Sequence, residues 1–175
     1  KKHRPEIYQK IHRILLYGAY ILYKLGNVDA IDYTLADRSL AFNVSTNDWD
    51  SDILAAAGID RQLLPKCYRL GTVVGTIKPE LASELGVNLD MKLVTGAHDQ
   101  ICVSIGAGTI DVGDATDGMG SVDNISPIFT DTSHLKENAK KNYPTVPYLD
   151  NKYTTIAYMY DGGTSLKWYR DTFGF

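Results

Sequence analysis

The tripeptide His98-Asp99-Gln100 interrupts an otherwise apolar stretch that runs from Lys92 to Gly108. A strand-like run ends at Gly96, and the apolar residues after Gln100 have helical spacing, so Asp99 is predicted at a helix N-terminus. Free backbone N–H groups and the helix dipole keep a carboxylate ionised there. Such a carboxylate, beside an imidazole and an amide, can accept a proton from a hydroxyl group. The plainer alternative is a helix-capping Asp beside a surface His and Gln.

Two glycine-rich stretches could bind phosphate. The segment Val112–Pro127 is predicted to form two strands around a turn at Gly118-Met119-Gly120, where backbone N–H groups can converge on an anion. A tight hairpin without a ligand is the alternative. Further on, a glycine turn through Gly163 leads into a helix that contains Lys167, which predicts a second set of free N–H groups at a helix start.

The elements that must position these residues alternate between helix and strand. Apolar residues at three- and four-residue steps predict one long amphipathic helix from Pro5 to Gly26. The segment Asp32–Asn43 indicates a loop and short helix that line a site, or simply a helix start capped at Asp32 or Thr34. A strand is predicted over Tyr153–Tyr160, after a polar, exposed excursion at residues 131–152. This alternation is typical of an α/β architecture.

Shorter elements are predicted from their boundary residues. Asn47 or Asp48 can cap a helix that ends at Gly58. Pro79 suits the first position of another helix, which Gly86 ends.

Composition excludes several classes of function. The chain has 175 residues, 44% of them hydrophobic and 22% charged, with a formal net charge of −3. There is therefore no general positive field to attract nucleic acid or anionic lipid, and no apolar run long enough to span a membrane. The two cysteines lie in unlike contexts without metal-ligand spacing, which indicates a reducing, cytoplasmic protein without structural zinc. A small-molecule partner is expected.

Several segments, taken in order, resemble the FGGY family of carbohydrate kinases. Residues 31–43 are similar to the family's Asp-Tyr-(Ser/Thr)-x-Ala block, and residues 50–65 and 71–86 to the two runs that precede its active site. Gly96-Ala-His-Asp-Gln100 resembles the signature Gly-Gly-x-Asp-Gln. The resemblance implies a partial RNase H-like/actin-like ATPase fold: residues 1–109 would end the sugar-binding domain, and residues 110–175 would begin the nucleotide-binding domain.

The resemblance also implies roles for individual residues. Asp99 would be the general base that accepts the proton of the sugar hydroxyl, Gln100 would contact the substrate, and His98 is assigned to substrate binding at the variable position of the signature. ATP and Mg²⁺ are the implied cofactors. The residues assigned to the nucleotide phosphates are Gly118, Gly120, Ser121, Gly163 and Lys167.

Met119 departs from the family pattern, because a threonine is usual between the two glycines of the phosphate turn. Without the threonine hydroxyl, the turn would bind phosphate through backbone N–H groups, with Ser121 as a substitute hydroxyl. This departure keeps open an alternative, a non-catalytic sugar-binding or regulatory module of the same fold. A homodimer is compatible with either interpretation. The chain is expected to be a piece of a longer protein and to be inactive alone. Its sequence does not identify the sugar.

Overall fold

The computed structural model of the protein describes Lys1, residues 3–120 and residues 122–174. The chain divides into two compact units, which we call the N-terminal unit (Lys1–His98) and the C-terminal unit (Asp99–Phe175). The two units are defined by contacts within this chain. The boundary between the sugar-binding and nucleotide-binding domains at residues 109 and 110 stays a prediction. Within the described ranges, no helix has both the length and the apolar character needed to cross a membrane.

Short helices and strands alternate in the N-terminal unit. They are α1 (Pro5–Tyr8), α2 (Tyr17–Gly26), β1 (Ala30–Asp32), α3 (Tyr33–Asp37), β2 (Phe42–Asn43), β3 (Asp48–Trp49), α4 (Ser51–Ala57), β4 (Lys66–Tyr68), β5 (Val73–Thr76), α5 (Pro79–Leu85) and β6 (Lys92–Val94). Strand β1 pairs in parallel with β4, and Ile31 lies opposite Cys67. The pairs β2–β3 and β5–β6 are antiparallel. A single 3₁₀ turn covers Arg61–Leu63.

The core of the N-terminal unit surrounds β1, whose three residues are all buried. Removal of the apolar side chains around β1 from water is the main force that holds the short elements together. The indole Nε1 of buried Trp49 donates a hydrogen bond to the carbonyl of Pro65 at 2.7 Å, so the polar group of this buried ring has a partner. The buried apolar cluster consists of Ala19, Ile31, Ala36, Phe42, Trp49, Leu54 and Leu64.

The long helix predicted from Pro5 to Gly26 is wrong, because the structure has two separate helices, α1 and α2. Between them, the backbone N–H of Ile14 donates to the carbonyl of Leu63 at 2.7 Å rather than to a helical partner. Ile14, Leu15 and Leu16 pack against the apolar cluster. The apolar residues from Pro5 to Gly26 have helical spacing, but tertiary packing decides the conformation of residues 14–16.

Most boundary predictions are confirmed. Gly58 and Gly86 follow the ends of α4 and α5 in the left-handed conformation that favours glycine, and Pro79 begins α5. The cap of α4 differs from the prediction: Asp50, rather than Asn47 or Asp48, accepts hydrogen bonds from the first helical N–H groups.

The C-terminal unit is a helix-flanked antiparallel sheet. Its elements are α6 (Asp99–Gly106), β7 (Ala115–Met119), β8 (Asp123–Phe129), α7 (Leu135–Lys140), β9 (Thr145–Pro147), β10 (Tyr153–Thr155), β11 (Ala157–Met159) and α8 (Gly162–Phe173). The long strand β8 pairs with β7 on one side, and with β10 and β11 along the other. Strand β9 extends the sheet beyond β10. The mixture of helices and strands confirms the α/β prediction.

Two predictions in this unit need correction. Residues 131–152 are not simply an exposed excursion, because they include α7 and β9 and bury Val146 and Tyr148. The hydroxyl of Tyr148 donates to the carbonyl of Thr109 at 2.7 Å, which ties this segment to the loop that follows α6. The strand predicted over Tyr153–Tyr160 is broken into β10 and β11, which pair with different parts of β8.

Candidate active site

Asp99 is the first residue of α6, as the sequence predicts. Its Oδ1 accepts a hydrogen bond from the backbone N–H of Gln100 at 2.7 Å, and the residue is exposed. The first N–H groups of a helix have no partner within the helix, and they favour a negative charge. The arrangement therefore holds the Asp99 carboxylate in a position that solvent can reach.

The backbone before Asp99 is held from within the N-terminal unit. The N–H of His98 donates to the hydroxyl oxygen of Thr34 at 2.6 Å. This hydroxyl donates its own hydrogen to Oδ1 of Asp32. Asp32 also caps α3, because the same oxygen accepts the N–H groups of Thr34 at 2.9 Å and Leu35 at 3.0 Å. The capped helix start predicted at Asp32 is thus confirmed, whereas sequence reasoning missed the bond to His98.

Burial raises the pKa of Asp32 above its ordinary value, and the hydrogen bonds from Thr34 and Leu35 oppose that rise. Asp32 borders a cavity of about 210 Å³ within the N-terminal unit, smaller than the roughly 300 Å³ at which ligand pockets begin. We assign no ligand to this cavity. Among its other lining residues are Ala19, Ile31, Leu35, Thr95 and Gly96.

Gln100 is half-buried against the β7–β8 hairpin inside the C-terminal unit. A Cβ atom added at Gly118 would lie 2.9 Å from Nε2 of Gln100 and 2.9 Å from Nδ2 of Asn124. Asn124 also donates from Nδ2 to the carbonyl of Gly118 at 3.1 Å. Gly118 is therefore a point of close approach, where a side chain would displace both amide groups.

The turn predicted at Gly118-Met119-Gly120 is wrong. Gly118 lies inside β7 opposite Asn124, and Met119 ends that strand opposite Asp123. The chain reverses after Met119, where the N–H of Gly120 donates to the carbonyl of Val122 at 3.1 Å. Ser121, assigned to phosphate binding from the sequence, lies outside the described residues. Gly118 and Gly120 are two residues apart, but Gly118 belongs to strand β7 and Gly120 lies where the chain reverses.

Gly120 and Gly163, both assigned to phosphate binding, do come together. The N–H of Gly163 donates to the carbonyl of Gly120 at 2.8 Å. A Cβ at neighbouring Gly162 would lie 2.9 Å from that carbonyl oxygen, so the backbones touch. The Gly163 N–H is thus already used within the protein. Lys167 is exposed on α8, which begins at Gly162 as the glycine turn predicts.

A pair of carboxyl groups lies on the same hairpin, and sequence reasoning missed it. Asp117 and Asp123 lie on one face of the hairpin, and the interaction with the Asp117 carboxyl group raises the pKa of Asp123. Asp123 also packs against the start of α8, because a Cβ at Gly162 would lie 3.0 Å from the Asp123 Cβ. The strand register, which brings residues 117 and 123 to one face, is not visible in the sequence alone.

Comparison with known proteins identifies relatives for nearly the whole chain. The xylulose kinase of Bacillus subtilis (strain 168) is 26% identical over 176 residues, covering 99% of this chain and 34% of the relative. The gluconokinase of Bacillus licheniformis is 28% identical over 169 residues, covering 97% of this chain and 32% of the relative. This chain thus spans 32% to 34% of the length of these relatives.

The solved structures that match this chain include the same two kinds of kinase. A ligand-bound xylulose kinase from Lactobacillus acidophilus matches with a TM-score of 0.83 and 25% identity, covering 97% of this chain and 34% of that one. A gluconate kinase from the same organism matches with a TM-score of 0.81 and 25% identity, also covering 97% and 34%. These matches confirm the predicted actin-like ATPase fold.

The family relationship rests on a sequence profile. The profile of the FGGY family of carbohydrate kinases, N-terminal domain, matches residues 1–106, which is more than half of the chain. The chain belongs to the FGGY family of carbohydrate kinases.

Proposed function

We propose that the protein containing this chain transfers the γ-phosphoryl group of ATP to a hydroxyl group of a small sugar, sugar acid or polyol, with Asp99 as the general base. The observation that carries the proposal is the Asp99 carboxylate at the start of α6, exposed and held by the Gln100 N–H at 2.7 Å. This carboxylate lies within the segment that resembles the family signature. The named activities of the relatives, xylulose kinase and gluconokinase, support the same chemistry.

The role of Asp99 follows from the proton balance of the reaction. The acceptor hydroxyl gives its proton to a carboxylate oxygen of Asp99 while its oxygen forms the new bond to phosphorus. ATP, when bound, supplies the phosphoryl group, and the bond between its β- and γ-phosphates breaks to release ADP. A carboxylate is a weak base toward a hydroxyl, so Asp99 acts late, as the hydroxyl proton becomes acidic. Orientation of the hydroxyl beside Asp99 must supply much of the acceleration.

His98 and Gln100, the sequence neighbours of Asp99, are proposed to hold the substrate. Both are half-buried, so each can present part of its side chain to a ligand while the rest stays packed. Nε2 of Gln100 lies close to Gly118 and Asn124, which restricts the orientation of its amide. A restricted amide costs less conformational entropy when it binds a hydroxyl group.

The start of α8 fits the phosphates of a nucleotide. Its N-cap residue, Asp161, makes no side-chain capping bond, so a phosphate can replace the missing cap. Because the Gly163 N–H is used by Gly120, we expect the other N–H groups of the first turn to be the donors. Gly118, Gly120, Ser121 and Lys167 remain part of this proposal.

The carboxyl group of Asp123, which packs against this helix start, repels phosphate. We therefore expect the nucleotide to bind together with Mg²⁺. We assign no residue of this chain to the metal, because the described residues contain no group of three or more His, Cys, Asp or Glu side chains that could hold one.

The test is ADP release by the whole gene product that contains this chain, measured across a panel of ketoses, aldonates and polyols. We expect release that depends on one compound and is lost in Asp99→Asn but kept in Asp90→Asn, a matched change at an exposed Asp. If the folded protein binds a compound from the panel yet releases no ADP, kinase activity is refuted. That result would favour a non-catalytic sugar-binding module.

A further inference from the structure

Thr34 forms a buried link between a strand of the N-terminal unit and the residue before Asp99. Its side chain is 1% exposed, although it is polar. The hydroxyl hydrogen goes to Oδ1 of Asp32, so the oxygen lone pairs are left to accept. The donor they receive is the N–H of His98, at 2.6 Å and 64 residues away in sequence.

The acceptor end of this link is rigid. Asp32 is the last residue of β1 and lies opposite Tyr68 of β4 in the parallel pair. Its carboxylate is 3% exposed, and the same oxygen caps α3 through the N–H groups of Thr34 and Leu35. The Thr34 hydroxyl therefore has little freedom to move, and any donor bound to it is fixed relative to this strand pair.

The donor end is the short segment that connects β6 to α6. Thr95, at its beginning, is 3% exposed. The Thr95 hydroxyl donates to the carbonyl of Arg69 at 2.6 Å and accepts the N–H of Thr72 at 3.0 Å. The segment from Gly96 to His98 therefore follows buried Thr95 in the chain, and its last residue is hydrogen-bonded to buried Thr34 just before Asp99.

We propose that Thr34 is a positioning residue for phosphoryl transfer: its buried hydroxyl fixes the backbone of His98 and so sets where the chain delivers Asp99. The inference rests on the proposed function, because it assumes that the geometry of Asp99 matters for turnover. Displacing a reacting group by about 1 Å can cost roughly 100-fold in rate. Thr34 needs no contact with substrate to have this effect.

The kinetic test compares Thr34→Val, which removes the hydroxyl at nearly constant volume, with Thr34→Ser, which keeps it. Thr154→Val is the matched control, because Thr154 is also a fully buried threonine whose hydroxyl donates to a carbonyl, that of Pro127 at 2.9 Å. In the whole gene product we expect Thr34→Val to lower kcat by about 10- to 100-fold and leave the KM for ATP within about threefold. Thr34→Ser and Thr154→Val should keep kcat within about threefold of the parent.

Full kcat in folded Thr34→Val would overturn the inference. If Thr34→Val does not fold, Thr34→Ala removes the same hydroxyl without steric strain, and full kcat in that variant is equally decisive. A parent protein that releases no ADP with any sugar would instead refute the proposed function. Full activity of Thr34→Val alongside an inactive Asp99→Asn would refute the positioning role alone.

Amide hydrogen exchange gives a readout that does not depend on activity. The His98 amide should exchange at least about tenfold faster in Thr34→Val than in the parent, because its acceptor is gone. Thr34→Ser should restore slow exchange, and Thr154→Val should leave the amide unchanged. Equal exchange of this amide in the parent and in Thr34→Val would show that the hydroxyl does not hold His98, and would overturn the inference.

Discussion

The two units bury polar groups in different ways. Among the described residues of the N-terminal unit, the buried polar side chains are Asp32, Thr34 and Thr95, and all three lie along the path to His98. Among the described residues of the C-terminal unit they are spread over α6, the loop that follows it and the sheet: Ser104, Thr109, Thr116, Ser126 and Thr154. A buried polar group costs free energy unless it is hydrogen-bonded, so its location indicates what the protein must hold in place.

The buried hydroxyl groups of the C-terminal unit bond to each other, to nearby backbone or, for Ser126, to the side-chain oxygen of Asn124. Thr109 and Thr116 share a hydrogen bond, and Thr154 donates to the carbonyl of Pro127 in the neighbouring strand. The Thr154 bond joins two strands that are already paired, and the Thr109 bond joins the loop after α6 to β7. In the N-terminal unit, Thr34 instead holds the residue directly before Asp99, which lies 64 positions away in sequence. The comparison teaches that the sheet uses buried hydroxyl groups for stability, whereas the N-terminal unit concentrates them at the approach to the proposed base.

The largest expected loss of stability comes from the apolar core around β1. Ile31→Ala should lower the free energy of unfolding by about 2 to 5 kcal/mol, because it removes a fully buried side chain and leaves a cavity. Denaturant unfolding of the parent and the variant measures this difference. Ile53→Ala is the control at an Ile that is 43% exposed on α4, and a loss as large as that of Ile31→Ala would contradict the assignment of the core.

Gly162→Ala tests the backbone contact that brings the two glycine segments of the C-terminal unit together. The new Cβ would meet the Gly120 carbonyl at 2.9 Å and the Asp123 nitrogen at 3.0 Å, and backbone atoms cannot easily move aside. We expect a loss of about 1 to 3 kcal/mol in the free energy of unfolding, measured by denaturant titration. Gly106→Ala is the control, because nothing lies within 4 Å of its added Cβ, and it should not destabilise the protein.

A smaller effect is expected from Asp37 of the N-terminal unit, as a dependence of stability on pH. Burial raises the pKa of Asp37 from 3.8 to about 6, although the Arg38 charge opposes the rise. Between these values the folded state binds more protons than the unfolded state, so this group's contribution to stability is lost as pH rises through about 6. Asp37→Asn should therefore stabilise the protein relative to the parent at pH 7.5, by about 1 to 2 kcal/mol after allowance for partial exposure.

The measurement for Asp37 is the difference in the free energy of unfolding between parent and variant from pH 4 to pH 8. It should be near zero at the acid end and grow as pH rises. A difference that is the same at every pH would show that Asp37 titrates normally in the folded protein.

Local signals explain the parts of the fold that the sequence predicts well. Several helix boundaries depend only on residues within a few positions of them. They are the ends of α4 and α5 at glycines, the start of α5 at Pro79, the start of α3 after the Asp32 cap, and the start of α6 at Asp99. The error over residues 5–26 arose because Ile14 bonds to Leu63, which helical periodicity cannot reveal.

The site was predictable only where its residues adjoin in sequence. His98, Asp99 and Gln100 are consecutive, so their shared location needs no fold. The bond between Thr34 and His98 joins residues 64 apart, and nothing near either residue signals it. The hairpin turn was misplaced for a related reason: glycine permits both a turn and a close approach, and only the strand register separates the role of Gly118 from that of Gly120.

The most direct test of the account is the turnover and the sugar affinity of Asp99→Asn, measured side by side with Asp90→Asn in the whole gene product. Removing a general base should lower kcat by about 100- to 10,000-fold. The amide can still hydrogen-bond the hydroxyl, so the dissociation constant of the sugar should stay within about tenfold. Asp90→Asn should change neither quantity. Full turnover in Asp99→Asn would contradict the assignment of Asp99 as the base and, with it, the central claim.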